Sequence, residues 1–174
     1  MLTEVQGDLW DFLPTHLIVI PTNTVGVMGR GLAAQARDRF PGLETAYRAY
    51  CQKHKSGHKM VRSEYPVCLA AFPQLILFPV KRHWGSKADL DLIRTNLCRV
   101  QSKFALEPGA PAVALPELGC GFGELTWKQV RPLFEILQDS QVKYLIVHPE
   151  ASLGEKYASS FQLAKSYRDA RFPS

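Results

Sequence analysis

The stretch THLIVIPTNTVGVMGRG, residues 15–31, decides the fold class. Residues 15–22 are apolar and β-branched without strict alternation, which is typical of a strand buried on both faces. Glycines follow at positions 26, 29 and 31, and residues 32–40 form a helix-favouring segment. A buried strand, a glycine-rich turn and a helix in this order predict an α/β domain whose ligand lies at the carboxyl end of the strand.

The rest of the chain alternates apolar runs with helical patterns. We predict strands at residues 65–72, 74–80, 112–115 and 142–147, and helices at residues 42–53, 88–106 and 155–170. The helix at 88–106 has the clearest pattern, an apolar stripe at steps of three and four residues formed by Leu90, Ile93, Leu97, Val100 and Phe104. Thr126 and Gln129 form a capping box for a further helix, which Pro132 should interrupt early.

This order of elements predicts a three-layer α/β/α domain around a mixed, mostly parallel central sheet. A second glycine-rich loop, with glycines at positions 119, 121 and 123, again follows a strand. Glycines let backbone N–H groups approach a ligand closely, and a helix N-terminus adds a favourable field for an anion. Because the spacing is neither that of a Walker loop nor that of a dinucleotide fold, we interpret the two loops as another kind of diphosphate site. The alternative is that the glycines only make turns.

The net charge of the chain is positive, since 21 Lys and Arg residues oppose 16 Asp and Glu residues to give +5. This excess favours contact with the phosphates of a nucleotide or a nucleic acid, although dispersed solubilising charge is the simpler account. No apolar run is long enough to span a bilayer, and the first residues lack a secretory pattern. We therefore expect a cytoplasmic, monomeric protein without a membrane partner.

Four cysteines are scattered without a CxxC pair, at positions 51, 68, 98 and 120. We expect no disulfide framework, no metal and no cofactor. The nearest approach to a metal site is Cys51 with His54 and His58. A helix-breaking Ser-Gly pair and neighbouring lysines disfavour a cation there, so an exposed basic loop at residues 53–64 is the preferred interpretation.

Several short motifs resemble the macrodomain family. They are QGDL at residues 6–9, NTVGVMGRGLA at 23–33 and LPELGCGFG at 115–123. The segment FPVKRHW at residues 78–84 is similar to the branch of lysine-dependent ADP-ribosyl hydrolases that includes the DarG-type antitoxins. The resemblance implies a macrodomain over residues 1–150, and we predict that residues 151–174 add a C-terminal helix that packs on it.

The resemblance implies that the site binds ADP-ribose, with the adenine amino group on Asp8. The other implied ligand-binding residues are Leu9, Asn23, Gly26, Val27, Met28, Gly29, Gly31, Leu32, Pro116, Leu118, Gly119, Cys120, Gly121, Phe122 and Gly123. Each side-chain role has an alternative. Asp8 and Asn23 could instead make local turn hydrogen bonds, and Met28 and Phe122 could fill the core.

Lys81 is the residue that the resemblance implies for catalysis. It follows an apolar strand, where a dry environment disfavours the ammonium form and leaves an amine able to attack the anomeric carbon of ribose. It could instead act as a cation that stabilises charge on the ribose oxygen, or be an ordinary exposed lysine at a strand end. Related animal enzymes carry an aspartate where this chain has Gly123, with Glu124 adjacent, which puts a covalent mechanism in doubt.

The implied function is an ADP-ribosyl glycohydrolase that removes ADP-ribose from a DNA base, which we expect to be thymidine, and so reverses a DNA ADP-ribosyltransferase toxin. Arg82, His83 and Trp84 are the predicted nucleic-acid-binding residues, with Trp84 stacking on a base. Alternatively, Trp84 anchors its loop against residues 88–92. The competing functions are a reader that binds ADP-ribose without cleaving it, and a hydrolase of protein ADP-ribosyl esters or O-acyl-ADP-ribose.

Overall fold

A five-stranded parallel sheet forms the centre of the protein. The computed structural model describes residues 1–55, 62–105 and 109–150. The strands are β1 (Leu2–Gln6), β2 (His16–Asn23), β3 (Leu75–Lys81), β4 (Ala112–Pro116) and β5 (Tyr144–His148), and their spatial order is β1-β5-β4-β2-β3. The helices are α1 (Gly31–Arg39), α2 (Leu43–His54), α3 (Leu90–Ala105) and α4 (Trp127–Val130). Short 3₁₀ turns occupy Leu9–Phe12, Arg62–Glu64 and Arg131–Leu137.

Side chains that alternate along the strands build a separate apolar core on each face of the sheet. In β2, Ile18 and Ile20 pack with residues of α1 and α2, whereas Val19 packs on the opposite face with residues of α3. Strand β3 divides in the same way and is buried from Leu75 to Val80. This arrangement confirms the three-layer α/β/α architecture and the prediction of strands buried on both faces.

Helix α3 presents its apolar stripe to the core as expected, since Ile93, Leu97, Val100 and Phe104 are buried. It begins at Leu90 rather than at position 88. Asp89 stands just before it, and its carboxylate accepts hydrogen bonds from the backbone N–H groups at positions 91 and 92. The side chain therefore caps the helix and sets its first residue.

The break near Pro132 is confirmed. Helix α4 ends at Val130, and the chain continues as the 3₁₀ turn Arg131–Leu137. Proline at the first turn needs no N–H partner, so it is accommodated where the geometry changes. The capping box is also present, with the backbone N–H of Thr126 donating to Oε1 of Gln129 at 2.9 Å.

Along the sheet edges, one predicted strand is corrected and one strand was not predicted. Residues 65–72 do not form a strand, because they contribute only one antiparallel bridge, between Val67 and Leu77. Prolines at positions 66 and 73 lack the N–H that a ladder needs, which limits pairing there. The sequence reading also missed β1, an edge strand with mostly exposed side chains that pairs in parallel with β5. The predicted helix at 155–170, and the packing of residues 151–174, lie outside the described residues.

The parallel sheet brings two loops to one edge, which is what positions the site. Strands β2, β3 and β4 are neighbours and end at Asn23, Lys81 and Pro116. We define loop one as residues 24–30 and loop two as residues 117–125. Carboxyl ends of parallel strands meet at the same edge, where ligands of such sheets bind. Among the helices of the described residues, none has the length and apolar character to cross a membrane.

Candidate functional site

Asn23 organises loop one from the buried end of β2. Its Oδ1 accepts hydrogen bonds from the N–H groups of Val25, Gly26 and Val27 at 3.0–3.3 Å, and its Nδ2 donates to the carbonyl of Val27 at 2.8 Å. The structure thus shows local turn bonding by Asn23. Its contact with a ribose stays a prediction.

Glycine at position 26 allows loop one to pack closely against α2. Gly26 has a φ of +86°, and a Cβ atom at that position would lie 2.6 Å from Cα of Arg48. Nearby, the fully buried side chain of Met28 belongs to the core beneath α1 and α2. The backbone of Met28 is also held, because its N–H donates to Glu44 and its carbonyl accepts from Arg37. The structure therefore shows that the side chain of Met28 fills the core. Contact of Met28 with a ligand stays a prediction.

Loop one ends at an uncapped helix N-terminus. Arg30 precedes α1 and makes no side-chain capping bond. Within the described ranges, the N–H groups of Gly29, Arg30, Gly31 and Leu32 donate to no protein acceptor. Free N–H groups at a helix N-terminus attract anions through hydrogen bonding and through the helix dipole.

Loop two folds back on itself and also leaves amides free. A Cβ atom at Gly123 would lie 2.4 Å from the carbonyl oxygen of Gly119, so only glycine fits there. The loop is closed by N–H bonds from Cys120 to the carbonyl of Glu117 and from Leu125 to that of Gly119. In the part of the chain that is described, the N–H groups of Gly121, Phe122 and Gly123 find no protein acceptor. A run of free amides in a tight loop is a recurrent anion-binding arrangement.

The two loops touch through Phe122. Its ring lies 3.3 Å from the ideal Cβ position of Gly31, and the guanidinium carbon of Arg30 is 5.6 Å from the ring centroid. Phe122 is half-buried and lies outside both core clusters of the described residues, so core filling is not its role. The ring of Phe122 thus brings loop two into contact with the start of α1.

Lys81 reaches loop two from the end of β3. Its Nζ donates to the carbonyl oxygens of Phe122 at 2.9 Å and Ser86 at 3.0 Å. Burial lowers the pKa of the Lys81 amine, and the nearby Arg30 lowers it further, while Glu124 acts in the opposite direction. The environment thus favours the neutral, nucleophilic form more than water does.

Glu124 lies beside this site but faces outward. It is the one non-glycine residue with positive φ among the described residues, at 61°, and its exposed carboxylate pairs with Lys87 at 3.5 Å. Its charge acts on Lys81 without a hydrogen bond to it. The question whether Glu124 replaces the aspartate of related enzymes stays open.

At the opposite end of the site, Asp8 is exposed and caps the 3₁₀ turn that follows it. Its Oδ1 accepts the N–H of Trp10 at 3.0 Å, so the turn-capping alternative is present in the structure. Contact of Asp8 with adenine stays a prediction.

Leu9, Pro116 and Leu118 are buried around the strand ends. Burial raises the pKa of the Cys120 thiol to about 12, so this thiol is neutral near pH 7 and unsuited to nucleophilic attack.

The three predicted nucleic-acid-binding residues have different surroundings. The guanidinium of Arg82 forms ion pairs with Glu64 and Asp89. These carboxylates partly neutralise its charge, which weakens its attraction for a phosphate. The turn after it is closed by the N–H and hydroxyl groups of Ser86, both donating to the carbonyl of His83. Trp84, at the tip, is 55% exposed and its ring contacts His83. Stacking of Trp84 on a base and its anchoring against residues 88–92 both stay predictions.

Sequence reasoning missed Arg30. This exposed cation is the last residue of loop one and lies near both the ring of Phe122 and the amine of Lys81. Its place inside the glycine-rich motif, directly before a predicted helix, was the available signal.

An open cavity of about 270 Å³ lies between loop one and α2, and it is lined by Thr24, Val25, Val27, Arg48, Cys51, Gln52 and Lys55. Of the residues considered for zinc, Cys51 is buried and His54 packs against Tyr50, while His58 lies outside the described residues. No group of three potential metal ligands occurs in the described ranges.

The fold and the paired loops are those of a macrodomain. The Macro domain pattern matches residues 19–134, and the chain belongs to this family. It is 35% identical over 138 residues to a DNA ADP-ribosyl glycohydrolase of Thermus aquaticus, a match that covers 75% of this chain and 36% of that protein. It is 31% identical over 147 residues to a DNA ADP-ribosyl transferase-DNA ADP-ribosyl glycohydrolase fusion protein of Thermosipho africanus, with 76% and 37% covered. The chain thus spans little more than a third of the length of these relatives.

Solved structures agree with this assignment. The Thermosipho africanus DarTG in complex with ADP-ribose superposes with a TM-score of 0.69 at 28% identity, covering 86% of this chain and 42% of that one. The macrodomain of Thermus aquaticus DarG superposes with a TM-score of 0.66 at 28% identity, covering 85% of this chain and 97% of that one.

Proposed function

We propose that this protein is an ADP-ribosyl glycohydrolase that releases ADP-ribose from a modified DNA base, with thymidine as the expected acceptor. The observation that carries the proposal is Lys81, whose amine donates a hydrogen bond to Phe122 of loop two and has a pKa lowered by burial. The names of the relatives support the same reaction class.

The free backbone N–H groups of the two loops support binding of ADP-ribose. The free N–H groups of Gly29–Leu32 and of Gly121–Gly123 provide two sets of donors for the two phosphates. Arg30 adds a positive charge at the end of loop one. Since the amine of Lys81, at the end of β3, contacts the backbone of loop two, a pyrophosphate held by the loops would place the distal ribose toward the amine.

The reaction uses the neutral amine of Lys81. Its nitrogen forms a bond to the anomeric carbon of the distal ribose while the bond from that carbon to the base nitrogen breaks. The base leaves with the electron pair of the broken bond and takes up the proton that the Lys81 nitrogen gives up on bonding to carbon. The ribose ring then opens, so that the Lys81 nitrogen and the anomeric carbon are joined as an imine. Water adds to this carbon, the bond to Lys81 breaks as the amine is restored, and the ring of the released ADP-ribose closes.

The acceptor strand would run past Trp84. This exposed indole can stack on a base regardless of sequence, and the turn that carries it begins at Arg82, whose side chain is paired with Glu64 and Asp89. We also propose a DNA ADP-ribosyltransferase as the functional counterpart, since the Thermosipho africanus relative is named as a fusion of both activities.

The decisive experiment compares release of ADP-ribose from an ADP-ribosylated oligonucleotide by the wild type, Lys81→Ala and Lys87→Ala. Lys87 is a matched control, because it is an exposed lysine six residues away that pairs only weakly with Glu124. We expect the first variant to lose release by at least about 100-fold and the control to keep it. Full release by Lys81→Ala, or none by the wild type, would refute the proposal.

One observation favours a second function, a reader that binds ADP-ribose without cleaving it. Lys81 donates to two backbone carbonyls, which is also what a lysine that only braces a loop would do. A reader would bind ADP-ribose with a measurable heat by calorimetry and show no turnover of modified DNA or protein.

A further inference from the structure

A histidine at the end of β5 lies between two carboxylates. Nδ1 of His148 is 2.7 Å from Oε1 of Glu117, and Nε2 is 2.9 Å from Oε2 of Glu4. The His148 side chain is only 17% exposed. Glu117 is the first residue of loop two, and Glu4 lies on β1, so the ring joins the loop to the edge of the sheet.

This geometry requires a particular protonation state. An ionised carboxylate only accepts hydrogen bonds, and a neutral imidazole has a single N–H. Two carboxylate contacts at these distances are therefore satisfied together only by the imidazolium form. The pKa of His148 is raised accordingly, because the bonds to Glu117 and Glu4 outweigh the opposing effect of burial.

The other groups around the ring support this state. Arg131, from the 3₁₀ turn after α4, donates to the same Glu4 carboxylate at 2.6 Å and keeps it ionised. The ring of Trp127, from α4, lies edge-on to the imidazole with centroids 5.0 Å apart and carries no titrating charge. Among the described residues, the charged groups in contact with His148 are thus the two carboxylates alone.

The cluster formed by His148, Glu4 and Glu117 includes the first residue of loop two. The carbonyl of Glu117 accepts the N–H of Cys120, which forms the first turn of the loop. The free amides of Gly121, Phe122 and Gly123 follow within a few residues. A change in the position of Glu117 therefore moves the start of the segment that carries those donors.

We propose that His148 is a positioning residue for loop two. As an imidazolium it holds Glu117 and keeps the amides of the loop in the arrangement that binds the pyrophosphate of ADP-ribose. Loss of one proton leaves one ring nitrogen with a lone pair facing a carboxylate, so one of the two contacts breaks and binding weakens. The proposal rests on the proposed function only for the identity of the ligand.

Two measurements on the full chain test this. The first is an NMR titration of the ¹⁵N-labelled protein between about pH 5.5 and 9, a range that brackets a raised histidine pKa. We expect the His148 ring to titrate above its ordinary pKa and the amides of residues 119–123 to shift with the same midpoint. In the His148→Gln variant, the pH-dependent shift of the loop amides should vanish. The control variant His16→Gln, which changes a histidine at the opposite end of the sheet, should keep this shift. Loop amides that ignore the titration of His148, or that still shift in His148→Gln, would overturn the proposal.

The second measurement is the affinity for ADP-ribose by calorimetry over the same range. We expect the wild-type Kd to weaken about tenfold across the transition, and the Kd of His148→Gln to be weak and independent of pH. A wild-type Kd that stays constant while the loop amides titrate would overturn the link to binding. Absence of ADP-ribose binding at every pH would instead count against the proposed function, and the NMR experiment would still decide the role of His148.

Discussion

The amine of Lys81 donates a hydrogen bond to the carbonyl oxygen of Phe122, 2.9 Å away, and so connects the end of β3 to loop two. The two residues are 41 positions apart in the sequence. The group proposed to react with the sugar is therefore also part of the framework of the loop proposed to bind the phosphates. Substitutions at this point must be chosen to separate the two roles.

Replacement Lys81→Arg separates charge from nucleophilicity. Arginine keeps a cation and hydrogen-bond donors near the carbonyls of Phe122 and Ser86 but stays protonated, so it cannot attack carbon. We expect near-normal ADP-ribose affinity by calorimetry and at least about 100-fold slower release from the modified oligonucleotide. Retained release would mean that the residue acts as a cation rather than as a nucleophile.

The rate of release should rise with pH. Burial holds the pKa of Lys81 below its ordinary value of 10.5, so the fraction of neutral amine grows as pH increases through the lowered pKa. The single-turnover rate should therefore increase and level off below pH 10.5. Reduction with borohydride should link ADP-ribose to Lys81 most strongly on the upper part of this curve. A rate that falls with pH over this range would argue for the ammonium form instead.

Gly123→Ala should destabilise the protein. The added Cβ would lie 2.4 Å from the carbonyl oxygen of Gly119 and 2.8 Å from Cβ of Ala88, so loop two would have to shift. We expect a loss of about 1–3 kcal/mol in the free energy of unfolding, measured with urea, together with weaker ADP-ribose binding. Gly121→Ala is the matched control, because a Cβ there meets no atom within 4 Å. Equal stability of the two variants would contradict the tight packing of the loop.

Trp84→Ala should affect DNA and leave the fold intact. The indole is 55% exposed, so its removal should change the free energy of unfolding by less than about 0.5 kcal/mol. Loss of base stacking should raise the KM for the modified oligonucleotide by roughly tenfold or more, in line with about 1–3 kcal/mol per stacked base. The Kd for free ADP-ribose should not change. Ile136→Ala, also at an exposed apolar side chain, serves as the control.

Stability should fall as pH rises through the pKa of His148. This pKa is raised in the folded protein, so the contribution of the cluster is fully present below the unfolded value of 6.5 and is lost above the folded one. On the acid side, Glu4 has a lowered pKa and its contribution disappears as pH falls through it. Urea unfolding at several pH values should show both declines, and His148→Gln should lack the upper one.

Much of the fold could be predicted from local patterns. The buried strand at residues 15–22 and the stripe of α3 reflect periodicity, which a single sequence carries directly. Strand β1 could not be read in this way, because an exposed edge strand lacks an apolar pattern. The prediction of a strand at residues 65–72 is wrong because the prolines at positions 66 and 73 cannot donate to a ladder, whatever the apolar character of the run.

For the site, the sequence indicated the two loops and Lys81, but not their contacts. The pairs of Arg82 with Glu64 and Asp89, and those of His148 with Glu4 and Glu117, join residues that only the folded sheet brings together. A motif shows which residues are present near a strand end. It does not show which charges are already neutralised by a partner from elsewhere in the chain.

The bond from Lys81 to the carbonyl of Phe122 has one more consequence. A trans peptide unit is planar, so its C=O and the N–H of the next residue point in opposite directions. By holding the oxygen of Phe122, the lysine fixes which way the N–H of Gly123 points. The proposed nucleophile thus also sets the direction of one of the backbone donors proposed to bind the phosphates.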